Sequence, residues 1–171
     1  MSQHVPSPEA TEIDQLIATV VEQQSRLQLD RFDNDDAWRL GCLLVELGQE
    51  RGLPIAVDIR RHGHQLFHAS LPGTVPDNDS WLTRKARTVD RFGVPSYLVG
   101  LRHRRKGTTF GQDGGLDVQE YAAHGGAFPL TVRDVGVVGT VTVSGLAQAD
   151  DHALVVEALE MFLAPEPEAT H

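Results

Sequence analysis

HGGAFPLTVRDVGVVGTVTVSG, residues 124–145, is the stretch whose reading decides the fold. Phe128, Leu130 and Val132 alternate with Pro129, Thr131 and Arg133, the period-two pattern of a strand with one buried face. Asp134 to Gly136 supplies a turn, and Val137, Val141 and Val143 share one parity of the returning strand. Gly139 falls on that same parity, and a glycine inside a strand marks a bend or the close approach of another group. Gly145 ends the strand. Leu154, Val155, Ala158, Leu159 and Phe162 then recur at helical spacing. The first turn of that helix holds Asp150 and Asp151, which suit the positive end of a helix dipole. A glycine-rich hairpin feeding a C-terminal helix therefore spans residues 124–162.

Upstream, Ile13, Leu16, Ile17, Val20 and Val21 form the stripe of an amphipathic helix. Leu27 and Leu29 alternate with polar neighbours in a short strand candidate over Arg26–Arg31. Asp33 or Asn34 caps a second helix, whose buried stripe is Leu40, Leu43, Leu44 and Leu47 and which Gly52 ends ahead of Pro54. Ile55, Val57 and Ile59 begin a first hairpin, turned at His62-Gly63 and continued by a strand over 65–71. A third helix starts near Asn78 and carries Leu82, Ala86, Val89 and Phe92 inward. A fourth, through Tyr97, Leu98 and Leu101, dissolves into a basic run. Residues 107–120, with glycines at 107, 111, 114 and 115, read as a surface loop.

Helix, helix, strand, strand, helix, helix, strand, strand, helix is the order of an α+β fold. It predicts an antiparallel sheet of about five strands with helices packed on its faces, a profilin-like or PAS-like layered sandwich rather than a βαβ pattern. The 171 residues suit one domain over residues 11–163, with a flexible tail at 1–10 and a disordered one at 164–171. No metal or disulfide is needed to stabilise a core of that size. The lone Cys42 sits in an apolar helical pattern and suits a reducing compartment. With no signal-peptide pattern and no run of 18 apolar residues, the expected location is the cytoplasm.

A formal net charge of −9 argues against a nucleic-acid binder. Residues 84–106 run the other way, with eight Lys and Arg against Asp90 alone. That segment reads as a solvated helix face, or as a patch for a small anionic ligand or an acidic partner.

Several motifs admit a chemical reading beside a structural one. His124-Gly125-Gly126 and Gly145 could line a ligand site, since glycine lets backbone N–H groups approach a ligand; turn geometry explains them equally. Trp81 shares a helical face with Arg84 and Lys85, an arrangement that suits a carboxylate-bearing ligand or a subunit contact. Ser144 with His152 invites a hydrolase reading, yet Val143 precedes the serine and no nucleophile elbow exists. His152 could ligate iron through a neutral imidazole, or serve as a polar residue bonded to the preceding strand. His62, His64 and His68 match no zinc spacing, so no metal is expected. Adjacent carboxylates at Asp35-Asp36 and Asp150-Asp151 point apart and fit helix starts. Residues 111–115 lack the pattern of a phosphate-binding loop.

The ordered combination of His124-Gly125-Gly126-Ala127-Phe128-Pro129-Leu130, Val138 to Leu146 and Asp150-Asp151-His152 resembles the GlcG/HbpS-like superfamily, the haem-degrading-domain-like proteins. Trp81-Leu82-Thr83-Arg84-Lys85 and the Ser96-Tyr97 pair resemble its cytosolic branch. The resemblance covers residues 12–163. It implies a homo-oligomer with an antiparallel sheet, and a haem, corrinoid or other small anionic ligand. The ligand residues expected on this reading are Trp81, Arg84, Lys85, His124, Gly125, Gly126, Pro129, Ser144, Gly145 and His152. Two alternatives stand beside it: a haem-degrading or other small-molecule enzyme using His152 or His124, and a protein-interaction module using residues 84–106. No nucleic-acid or membrane partner is expected.

Overall fold

A computed structural model describes residues 7–113 and 115–165. In chain order the elements are α1 (Pro8–Arg26), α2 (Asn34–Glu50), β1 (Ala56–Arg61), β2 (His64–Ser70), α3 (Pro76–Phe92), α4 (Ser96–Lys106), α5 (Phe110–Asp113), β3 (Ala127–Val132), β4 (Gly136–Ser144) and α6 (Gln148–Leu163). The sheet has four strands in the order β2-β1-β4-β3, each antiparallel to its neighbours. The two hairpins expected from the alternating patterns are present, and β1 joins them by pairing with β4.

The fifth strand proposed over Arg26–Arg31 does not form. Leu29 makes one isolated bridge to Val132, donating to the Thr131 carbonyl at 2.8 Å and accepting from Arg133 N–H at 2.9 Å. The chain then turns away into the cap of α2. Asp33 accepts from Asp36 N–H while the Asp36 carboxylate accepts from Asp33 N–H, a reciprocal capping box that fixes the start of the helix.

Strand parity sorts the sheet into two faces. Val57, Ile59, Phe128, Leu130, Val141 and Val143 meet Leu40 and Leu44 of α2 and Leu154, Val155 and Leu159 of α6 in the main core. The other parity carries Ala56, Asp58, Thr140, Thr142 and Ser144, buried beneath α3. Gly139 lets β4 approach β1 closely, since a Cβ there would lie 2.0 Å from the Arg60 carbonyl oxygen. α1 packs outside α4, with Val20 against Tyr97, Leu98 and Leu101.

Four local expectations need correction. α1 begins at Pro8, so residues 8–10 are helical rather than tail; residues 1–6 and 166–171 lie outside the described residues. Phe92 is 44 % exposed at the end of α3 and stacks edge-on to Phe110 instead of turning inward. Val137 is exposed, because the β3–β4 register shifts between Leu130 and Thr131. The basic run does not dissolve α4; the helix continues to Lys106, where Gly107 caps it in the left-handed conformation, and α5 interrupts the loop that follows.

Candidate functional site

Segment 118–126 runs against α3 and α4 on its way into β3, and local packing fixes its course. Ala122 N–H donates to the Arg84 carbonyl at 3.2 Å. Ser96, fully buried at the start of α4, donates its hydroxyl to the His124 carbonyl at 2.6 Å and accepts from Ala127 N–H at 3.1 Å. A Cβ on Gly100 would sit 2.2 Å from the Ala123 carbonyl oxygen, so only glycine permits this approach of α4. Gly126 adopts φ 132°, and a Cβ there would lie 2.3 Å from the Val143 carbonyl oxygen.

These constraints leave a cavity of about 510 Å³ between α3, α4, residues 108–111 and residues 118–124. Leu101, Phe110 and Val118 give it apolar surface, and Arg84 and Arg104 bring two guanidinium groups to its lining. Arg84 lies over the Trp81 ring at 4.1 Å, and Trp81 meets His124 edge-on at 5.0 Å between ring centroids. A cation held on an indole face keeps its charge while its stem stays against an apolar wall. Partial burial, followed by the charges of Lys85 and Arg84, holds the His124 pKa below its ordinary value, so the ring is neutral at pH 7.

A second cavity, of about 280 Å³, shares Trp81, His124 and Gln148 with the first and adds Asn78, Lys85, Ser144, Gly145, Leu146 and Asp151. Lys85 is 3 % exposed and donates to the Asp151 carboxylate at 3.0 Å and to the Val143 carbonyl at 3.1 Å. Burial pushes the Lys85 pKa down and the Asp151 pKa up, and their mutual attraction opposes both shifts. Asp151 also accepts from Leu146 N–H at 3.0 Å, so the helix dipole alone does not account for it. Asp150, by contrast, is exposed.

The structure therefore brings Trp81, Arg84, Lys85, His124, Ser144 and Gly145 to two adjoining cavities. It does not bring the other four expected residues to either. Pro129 is buried in β3 opposite Thr140. Gly125 and Gly126 are buried where their backbones pass against Gln148 and Val143. His152 bonds through Nε2 to Gln23 of α1 at 2.8 Å, not to the preceding strand, and stacks against Tyr97 at 4.9 Å. Its buried Nδ1 has no partner, and burial lowers its pKa to about 4. Among the described residues no group of three or more His, Cys, Asp or Glu could hold a metal ion, and no helix is long and apolar enough to cross a membrane. The basic segment is divided between α3 and α4, and part of its charge is spent internally on Glu120 and Asp14.

The model of the family described as haem degrading protein HbpS-like matches residues 32–160. The chain belongs to the HbpS-like family. It is 63 % identical over 147 residues to the UPF0303 protein SCO2848 of Streptomyces coelicolor, covering 86 % of this chain and 93 % of that relative. The crystal structure of the Ybr137w protein superposes with a TM-score of 0.83 at 31 % identity, covering 92 % of this chain and 94 % of the other. A PduOC:haem complex superposes with a TM-score of 0.63 at 21 % identity, over 75 % of this chain and 92 % of its own. At that identity the likeness shows a common fold.

Asn78, Gly100 and Gln148 join the site without having been expected there, and Arg104 enters it from the basic segment 84–106. Gln148 carries a readable signal, being the first residue of α6 behind Gly145. Ser96 was readable only as part of the Ser96-Tyr97 pair, with no sign that its hydroxyl fixes the approach to β3.

Proposed function

We propose that this protein is an oligomeric, cytoplasmic small-ligand-binding member of the HbpS-like family. Its ligand is a tetrapyrrole-type or other small anionic molecule seated in the larger cavity. The observation that carries this reading is Arg84 stacked on Trp81 in the wall of a largely apolar cavity of about 510 Å³. That volume falls within the roughly 300–1,000 Å³ of small-molecule sites, and such sites combine apolar walls with a few placed polar groups.

The residues present fit a haem. Leu101, Phe110 and Val118 offer apolar contact to a macrocycle, Arg84 and Arg104 offer guanidinium groups to its propionates, and His124 offers a neutral imidazole. A bound haem would supply redox chemistry at iron; the chain's own groups bind and orient the ligand and exclude water from it. His152, sealed behind Tyr97 and Phe128, reaches neither cavity, so the geometry gives no support to catalysis through it.

Titration of the protein with haemin, and separately with cobalamin, tests the reading by absorbance. A saturable spectral shift at micromolar ligand is expected, weakened about tenfold in Arg84→Ala because a charge-assisted hydrogen bond is lost. Absence of a shift with both ligands overturns the tetrapyrrole reading. Self-assembly is the second part of the reading, with Trp38 and Val135, exposed at 63 % and 71 %, available to a subunit contact. Sedimentation giving the 18.7 kDa monomer mass contradicts that part.

A further inference from the structure

The smaller cavity is walled by polar groups whose hydrogen-bonding capacity is unevenly spent. Lys85 has three ammonium N–H donors and two partners among the described residues. Asn78 accepts from Val75 N–H at 2.8 Å, and Gln148 accepts from Gly125 N–H at 3.3 Å. A backbone N–H can be met only by the amide oxygen, so the NH₂ group of each side chain is left unspent. The Ser144 hydroxyl belongs to a residue 4 % exposed that lines this cavity. On the acceptor side, each Asp151 oxygen already holds a donor, one from Lys85 and the other from Leu146 N–H.

Donors with unspent capacity therefore reach this space from three elements. α3 contributes Asn78 and Lys85, the end of β4 contributes Ser144, and α6 contributes Gln148. Water or an alcohol both donates and accepts, whereas an ionised carboxylate only accepts and has room for several donors. The Lys85 ammonium, paired to Asp151, and the His124 ring line the same cavity. Nothing in the apolar chemistry of the larger cavity requires this second, donor-rich chamber.

We propose that the smaller cavity is a carboxylate subsite in which the third Lys85 N–H, the Ser144 hydroxyl and the Asn78 and Gln148 amides hold the two oxygens. The proposal deepens the ligand-binding reading and rests on it for the adjoining chamber alone. The carboxylate belongs either to a small free acid or to an arm of the molecule in the larger cavity; its chemistry is the same in both.

The test uses the full chain carrying Trp38→Phe, so that Trp81, which lines the cavity, is the sole indole. Sodium benzoate is titrated at constant ionic strength and Trp81 emission recorded. A saturable change with a Kd below about 10 mM is expected, with benzyl alcohol at least tenfold weaker. Ser144→Ala and Asn78→Ala leave the Lys85–Asp151 pair intact, and each weakens benzoate by up to about tenfold. No saturable response, an equal response to benzyl alcohol, or unaltered affinity in both variants overturns the proposal. Where benzoate binds, displacement by haemin assigns the subsite to an arm of that ligand, and simultaneous binding assigns it to a separate acid. Benzoate binding without haemin binding refutes only the tetrapyrrole reading, whereas haemin binding without benzoate binding refutes only the carboxylate subsite.

Discussion

His152 ties the fold to pH in a way that can be measured. Its ring is 4 % exposed between Tyr97 and Phe128, donates from Nε2 to Gln23, and leaves Nδ1 without a partner. Protonation would place a charge on a nitrogen that nothing receives, and burial accordingly lowers the pKa from 6.5 to about 4. Between those values the unfolded chain binds a proton that the native state refuses, so stability rises with pH across the window. The contribution is fully present above about pH 6.5 and is lost as pH falls toward 4. A shift of that size corresponds to about 3 kcal/mol, most of which separates pH 7 from pH 4.5. Urea unfolding of wild type and His152→Leu at both pH values isolates it, since every other titrating group is common to the two proteins. The variant loses one buried hydrogen bond, a cost of about 1 kcal/mol at pH 7. Its further loss between pH 7 and 4.5 should be smaller than that of wild type by about 2–3 kcal/mol. Equal losses in the two proteins would refute the assignment of a neutral, sealed imidazole.

Lys85→Met leaves the Asp151 carboxylate buried without its cation, and a destabilisation of about 3–5 kcal/mol is expected by denaturant unfolding at pH 7. Lys85→Met/Asp151→Asn keeps an acceptor for Leu146 N–H, removes the charge, and should recover most of that loss. Ser96→Ala removes the hydroxyl that joins the His124 carbonyl to Ala127 N–H, and should cost about 1–3 kcal/mol. Because Ser96 fixes the course of residues 122–127, amide exchange over that segment should also accelerate in the variant.

The hairpins and the apolar stripes of the helices were legible because their signals are local. Alternation at 128–132 and 55–59 needs no knowledge of distant chain. The pairing of β1 with β4 was not legible in the same way, since it joins segments far apart in sequence. The strand expected at 26–31 failed for a related reason: its alternation is real, but the capping box at Asp33 draws the chain off after one bridge. The site was partly readable. Trp81 and Arg84 share a helical face and do meet. Lys85 lies three residues beyond Leu82 and four before Val89, and Asp151 stands three before Leu154 and four before Val155. Both occupy stripe positions, which was the available sign that they are buried and need each other. His152 likewise precedes Val155 and Leu159 on one stripe, a pattern that marks a core histidine better than a ligand. The placement of His124, Gln148 and Asn78 around common space depends on loop packing, which no periodicity encodes.

Hydrogen–deuterium exchange with and without haemin tests the central claim most directly, because it reports where the ligand sits as well as whether it binds. The cavity between α3, α4 and residues 118–124 predicts slower exchange over residues 81–88, 100–111 and 118–124 when haemin is added, with β2 and α2 unchanged. Protection confined to α2 or β2, or no protection at saturating haemin, would contradict it.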